Sequence, residues 1–417
     1  MTASPDNPVL LPDGSTPDPY PRYADLRETG EVHVVQEPTG LCRWTFVGHE
    51  HGRRMLADPR LTKDPRAAWD ELAAAGYVTG DPHTDQHMFH LLNTDPPDHT
   101  RLRAMVQGSF STGRAAALRP RVVRTVRELL DGLDPHRPVD LIAEYALPLA
   151  VRVIGEILGV PTENFDEYHA WASAGLAVPG AATTMSRAEA YTRMCGFFTD
   201  LISRRRAELR TAAEVPAEPD VLTGLLLAQE ADGALTEDEM TALLIFLLNT
   251  GQEPTVSMVA NGMLALLRHP EQLDLLARDP GLLPTAVDEF LRYDGPVALS
   301  TLRVAREDIE VDGTVVPKGG IVSVIMNSAD RDERRFADPD RLDVTRSPNP
   351  HLAFGHGIHR CVGVPLARLV GEIAFGELLA RHPRPALACA PGELRWRSTR
   401  VMRSLAALPV LLAPGDT

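Results

Sequence analysis

Thr236 and Glu239 stand three residues apart ahead of a long run of helical spacing, an arrangement in which each residue caps the other's backbone N–H and a helix begins. The run extends to Arg268, where His269 and Pro270 end it, so the helix would be about 50 Å long at ~1.5 Å per residue. Its centre, Leu243 to Leu248, is apolar on every face, which fits a helix crossing an interior and not one lying on a surface. From about Asp98 to His269 the apolar spacing is mostly helical, as in Val122, Val123, Val126, Leu129, Leu130 and Leu133, so the body around that helix is α-rich.

A smaller β part brackets this body. Glu31 to Gln36 and Leu41 to Val47 are strand-like and separated by Glu37, Pro38, Thr39 and Gly40, which is turn chemistry. After Arg303, Asp308 to Val311 and Thr314 to Val316 form a hairpin across Asp312 and Gly313, and Ile321 to Ile325 continues the sheet. A last long helix runs from about Val362 to Arg381, ending before His382 and Pro383. The fold class is mainly α with a smaller β region, α+β. No linker or repeat divides the 417 residues, so residues 21–417 read as one domain behind a flexible segment, 1–20.

Charge excludes some functions. With 57 acidic against 42 basic residues and a formal net charge of -15, nucleic acid is not expected as a partner, because phosphate binding needs a basic surface. Met1 to Tyr23 is rich in Pro, Asp and Ser without the basic start and apolar stretch of a signal peptide. The apolar run Ala242 to Leu248 is far shorter than the ~20 residues that span a bilayer, so no membrane association and a cytoplasmic location are expected.

The four cysteines, Cys42, Cys195, Cys361 and Cys389, form no CxxC pair and suggest neither a disulfide framework nor a zinc knuckle. Cys361 differs from the others because it stands at the start of the last helix. A helix amino terminus carries roughly half a positive charge and free N–H groups, which stabilise a thiolate and allow it to ligate a metal. Flanking glycines let the backbone approach a flat ligand closely. Taken alone, Cys361 could be an ordinary buried thiol, or could join His351, His356 and His359 in a zinc site.

Phe354, Gly357, His359, Cys361 and Gly363 together match FxxGxHxCxG, and the chain thereby resembles the cytochrome P450 family, in its soluble bacterial class. The resemblance implies a haem b cofactor (iron protoporphyrin IX), with Cys361 as the thiolate ligand of the iron and His359 at a propionate. Asp95-Pro96-Pro97-Asp98-His99-Thr100-Arg101-Leu102-Arg103 resembles the family's DPPxHxxxR segment, where His99 and Arg103 bind propionates. Arg303 lies where the family places a further propionate-binding arginine. Glu289 and Arg292 match its ExxR motif, which in the family joins an arginine of a later loop, here Arg341.

One departure stands in the central helix. The family's oxygen-activating segment, usually close to AGx(D/E)T(T), reads Thr250, Gly251, Gln252, Glu253, Pro254 and Thr255 here, so Pro254 replaces the usual threonine. A proline frees the carbonyl of Thr250 and kinks the helix, which suits the local opening the family needs there. Glu253 is the candidate proton relay, with Thr250, Thr255 or a substrate hydroxyl in place of the lost alcohol.

The resemblance implies an NAD(P)H-driven monooxygenase fed by a separate ferredoxin and its reductase. Its expected reaction is hydroxylation or epoxidation of a lipophilic small molecule in bacterial specialised metabolism. Pro254 raises two alternatives: desaturation, cyclisation, coupling or peroxide use on the same cofactor, or a non-catalytic haem sensor or carrier. Arg101, Arg103, Arg114, Arg119, Arg121 and Arg360 are expected to form a basic patch that steers ferredoxin. Substrate contacts are expected from Thr62 to Asn93, Gly175 to Ala188, and Val297 to Thr301.

Overall fold

The computed structural model describes residues 8–413 apart from 13–14, 79, 82–84, 162, 164, 177–184, 213, 215–217, 234 and 400. Along the first half run α1 (Tyr20–Thr29), β1 (Val32–Gln36), β2 (Cys42–Phe46), α2 (His49–Ala57), β3 (Leu61–Thr62), α3 (Trp69–Ala74), α4 (Asp98–Gln107), α5 (Thr112–Asp131), β4 (Val139–Asp140) and α6 (Leu147–Leu158). Then come α7 (Phe165–Leu176), α8 (Arg187–Thr211), α9 (Val221–Asp232), α10 (Glu237–Arg268), α11 (Pro270–Arg278) and α12 (Leu283–Tyr293). The β-rich part holds β5 (Arg303–Ala305), β6 (Ile309–Val311), β7 (Thr314–Val316), β8 (Ile321–Val324) and the short α13 (Met326–Ala329). Helix α14 (Val364–Arg381), β9 (Ala386–Leu387) and β10 (Pro409–Leu411) complete the order.

Helix α10 is the axis of the largest core. It begins at the expected capping box: Glu239 N donates to Thr236 Oγ1 at 3.1 Å and Thr236 N donates to Glu239 Oε2 at 2.9 Å. Leu243, Leu244, Leu248, Met263 and Leu266 are each fully buried, and the helix packs on α6, α8, α12 and α14. Gly251 permits the α6 contact, since a Cβ there would lie 2.5 Å from Ile154 Cδ1.

The β1–β2 hairpin forms as expected, and β2 then pairs in parallel with β8, giving a five-stranded sheet in the order β1-β2-β8-β5-β3. The β6–β7 hairpin also forms, with Asp312 and Gly313 both at positive φ (48° and 77°), as a tight turn of this kind requires. The expectation that Ile321 to Ile325 extends this hairpin is corrected: β8 joins β2 and β5, while β6 and β7 stay a two-stranded sheet. Sheet order follows from which apolar faces meet, and strand spacing in sequence does not encode it.

Of the expected flexible segment, residues 1–7 and 13–14 lie outside the described residues. Its described part is tied down: Val9 N donates to Val34 O at 2.8 Å, and the Arg403 guanidinium donates to the carbonyls of Thr16 and Pro17 at 2.6 Å. Among the described residues no helix is long and apolar enough to cross a membrane.

Candidate functional site

The loop from Leu352 to Gly363 delivers Cys361 to the start of α14. Two glycines take left-handed backbone, Gly355 at φ 69° and Gly357 at φ 78°, and a Cβ on Gly357 would lie 2.9 Å from Ala57 Cα. The loop is pinned by Gly355 N to Leu352 O at 2.7 Å and by Cys361 N to Phe354 O at 2.9 Å. Arg368 lies over the Phe354 ring at 5.7 Å, fixing the far side of the loop. Helix α14 begins at Val364 with Gly363 as its cap, two residues later than the expected Val362; Cys361 itself is exposed, and a Cβ on Gly363 would touch its Sγ at 3.8 Å. Although Cys361 is exposed, the protein atoms crowded round its sulfur push the thiol up, opposed by the Gly363 backbone N–H and by the charges of Arg103 and Arg360.

A cationic rim lies next to this loop. His99 and Arg103 occupy successive turns of α4, and Arg103 Nη2 donates to the Arg360 carbonyl at 2.8 Å, tying that helix to the residue before Cys361. The rings of His99 and His359 are 4.3 Å apart, and the Nε2 atoms of both are buried without a hydrogen-bond partner. Burial lowers the pKa of both histidines, so each is a neutral ring near pH 7. Arg303, at 7% exposure, donates among the described residues to the carbonyls of Thr301 and Leu56. Lys63, which no sequence motif singled out, is 5% exposed and donates to Thr301 Oγ1 and Leu302 O.

These residues fit a flat cofactor with acidic side groups and a metal that accepts a sulfur ligand. Buried cations and orphaned ring nitrogens need anionic or acceptor partners, and the glycine-bearing loop leaves the sulfur approachable. The competing zinc arrangement does not assemble. His351 bonds Asp288 at 3.4 Å, His356 bonds Arg53 at 3.2 Å, and among the described residues no three metal-binding side chains cluster.

Glu289 and Arg292 are fully buried and joined by two hydrogen bonds of 2.7 and 2.8 Å. The expected third member, Arg341, is corrected: it is exposed and offers only its carbonyl, 3.1 Å from Arg292 Nη2. The arginine that reaches Glu289 is Arg346, at 3.2 Å, alongside the Asp343 N–H and the Asn349 amide. The Arg341 side chain leaves the buried turn, while Arg346, one turn of loop later, points back into it.

Pro254 does not interrupt α10, which remains helical from Glu237 to Arg268. The hydroxyls of Thr250 and Thr255 each donate to the carbonyl one turn back, Phe246 at 2.7 Å and Gly251 at 2.8 Å, so neither is a free donor. Glu253 is buried at 4% exposure; its Oε2 accepts from Arg397 Nη1 at 2.9 Å and its Oε1 has no partner. It lines a cavity of about 290 Å³ with His169, Ser257, Arg397 and Ser404, and this lining shares no residue with the Cys361 rim. Sequence reading missed Arg397, His169, Arg346 and Lys63 because each meets its partner across tens to hundreds of residues, with no local motif.

The expected basic patch is mostly neutralised. Arg101 pairs with Glu239, Arg114 with Glu218, Arg119 with Glu372 and Arg121 with Glu156, leaving Arg103 and Arg360 on the cysteine side. Of the expected substrate segments, residues 79, 82–84 and 177–184 lie outside the described residues. His90 stacks on Phe246 of α10 at 4.5 Å, and Thr301 accepts the Lys63 bond.

The cytochrome P450 family model matches residues 281–382, which hold the Glu289–Arg292 pair and the Cys361 loop. The chain is similar to cytochrome P450 monooxygenase PikC of Streptomyces venezuelae, 41% identical over 416 residues, 98% of this chain and 95% of that one. Its fold is similar to tirandamycin C-bound P450 monooxygenase TamI, with a TM-score of 0.86 at 38% identity over 97% of this chain and 100% of that one. It is also similar to CxnD, the P450 for C–S bond formation in chuangxinmycin biosynthesis, with a TM-score of 0.86 at 34% identity over 97% of each chain. With a cysteine loop, a cationic rim and a buried Glu–Arg pair in one scaffold, and relatives alike from end to end, this chain belongs to the cytochrome P450 family.

Proposed function

We propose that the chain is a haem b monooxygenase that hydroxylates or epoxidises a lipophilic small molecule of bacterial specialised metabolism. Its electrons would come from NAD(P)H through a separate ferredoxin and ferredoxin reductase in the cytoplasm. The observation that carries this reading is the position of Cys361, locked by Phe354 at the start of α14 beside a rim of buried cations and unpaired histidine nitrogens. Bound there, haem supplies the oxygen-activating iron, and a thiolate ligand favours O–O cleavage.

In this reading Cys361 ligates the iron, while Phe354, Gly357 and Gly363 shape the loop. His99, Arg103, Arg303 and His359 hold the propionates. Glu253, oriented by Arg397, relays protons through Oε1, and Thr250 and Thr255 offer acceptor lone pairs in place of the lost alcohol, their own protons being given to the Phe246 and Gly251 carbonyls. A P450 monooxygenase of similar fold that binds tirandamycin C supports a small-molecule substrate.

A reduced, carbon-monoxide-bound difference spectrum tests the reading. Wild type is expected to give the red-shifted band of thiolate-ligated haem, and Cys361→Ser to lose it. A wild-type protein without that band would refute the assignment.

A second reading, bond coupling in place of oxygen insertion, is favoured by two observations: Pro254 removes the usual alcohol, and CxnD, of near-identical fold, forms a C–S bond. Incorporation of labelled dioxygen into product separates the two.

A further inference from the structure

Lys63 poses an electrostatic problem that the protein alone does not solve. Its Nζ, inside a residue 5% exposed, donates at 2.7 Å to Thr301 Oγ1 and at 2.8 Å to Leu302 O, both neutral acceptors. An ammonium has three donors, so these two bonds leave one unassigned. Arg303, two residues from Thr301 and likewise buried, bonds among the described residues to backbone carbonyls alone. Among the described residues neither cation pairs with a carboxylate. The acid of this corner, Asp95, is committed to Arg306 at 2.8 Å, to the Thr62 hydroxyl and to the Lys63 backbone N–H at 3.1 Å.

The charge of Asp95 reaches both cations only through space, without a salt bridge to either, so two buried like charges stay poorly compensated and neutral hydrogen bonds offset only part of the cost. Burial, and then the charge of Arg303, hold the Lys63 pKa well below the usual lysine range. The same corner contains the unpartnered Nε2 atoms of His99 and His359. A partner that satisfies all of these groups carries negative charge, accepts several hydrogen bonds and is itself shielded from water. A carboxylate has this character.

We propose that Lys63 is a carboxylate-binding residue of the haem site, its ammonium and the Arg303 guanidinium together receiving a haem carboxylate at the buried rim. This rests on the haem reading above and adds to it a ligand that lies outside the family motifs of this sequence. The carboxylate of an acyl substrate is the other source of the same chemistry, because Thr301 closes a segment expected to face substrate.

The test uses the holoenzyme and the rate at which its haem passes to excess apomyoglobin, followed by absorbance. Wild type, Lys63→Met and Lys63→Arg are each loaded with haem or with haem dimethyl ester, whose carboxylates are blocked. Lys63→Met is expected to release haem on the order of ten-fold faster than wild type, as for loss of a charge-assisted hydrogen bond. Lys63→Arg should stay close to wild type, and with the ester all three proteins should release alike. Equal acceleration for haem and ester would mean that the substitution merely loosens the fold, and would overturn the proposal, as would unchanged release of both. Unchanged haem release with weaker tetradecanoate binding, read from the Soret shift, would assign the carboxylate to substrate and overturn the haem source. A wild-type protein that takes up no haem would overturn the underlying haem reading as well.

Discussion

Glu253 Oε2 and Arg397 Nη1 lie 2.9 Å apart across 144 residues of sequence, while the second oxygen of the same carboxylate is buried without a partner. The ion pair orients the carboxylate, and Oε1 is the atom that the proposed relay would use. Burial lowers the pKa of the neighbouring His169, with the Glu253 charge opposing, so the histidine facing this cavity stays neutral near pH 7.

Glu253→Gln keeps the shape and removes the ionisable group. Product formed per NAD(P)H consumed is expected to fall on the order of 10²-fold, the usual range for loss of a positioned acid or base, with the carbon-monoxide spectrum unchanged. Unaltered coupling would sink the relay.

Pro254 removes an alcohol without breaking α10. If a hydroxyl at this position limits proton supply, Pro254→Thr raises the fraction of reducing equivalents ending in product, and Pro254→Ala does not. Equal coupling in the two variants would show that this chain works without that alcohol.

Around Glu289 two arginines behave differently. Arg346→Ala removes a partner from a fully buried carboxylate and is expected to cost about 3 kcal/mol, whereas exposed Arg341 gives only a backbone contact and its alanine variant should stay within about 0.5 kcal/mol of wild type. Denaturant unfolding of both variants checks the order.

Asp330 is fully buried, with Oδ1 accepting from Leu352 N at 2.6 Å and Oδ2 unpartnered. Burial raises its pKa to about 7, partly offset by the charge of His351 and the Leu352 N–H. The folded state therefore holds a proton that the unfolded chain releases near pH 4, so this residue's contribution to stability declines as pH rises from ~4 to ~7 and is flat above. Asp330→Asn should be more stable than wild type at pH 8 by a few kcal/mol, with the gap at pH 5 less than half as large. Melting curves at the two pH values decide it; a constant gap would contradict the shift.

Much of the fold was legible because its signals are local. The Thr236–Glu239 box, the apolar run after it, the Asp312–Gly313 turn and the Pro383 stop each act over a few residues, and each element formed there. The placement of β8 was not legible, since parallel pairing with β2 joins residues nearly 280 apart and leaves no local pattern.

The candidate site divides the same way. Sequence by itself determined the family, the cysteine at the head of α14, the i, i+4 spacing of His99 and Arg103 and the i, i+3 spacing of Glu289 and Arg292, because helix geometry makes such neighbours face one way. Only the tertiary structure decided that Arg346 and not Arg341 completes the buried pair, that Arg397 holds Glu253, and that Lys63 lies buried beside Arg303. Those choices depend on which loops close over which charges, and the burial that makes each charge matter exists only once distant segments have packed.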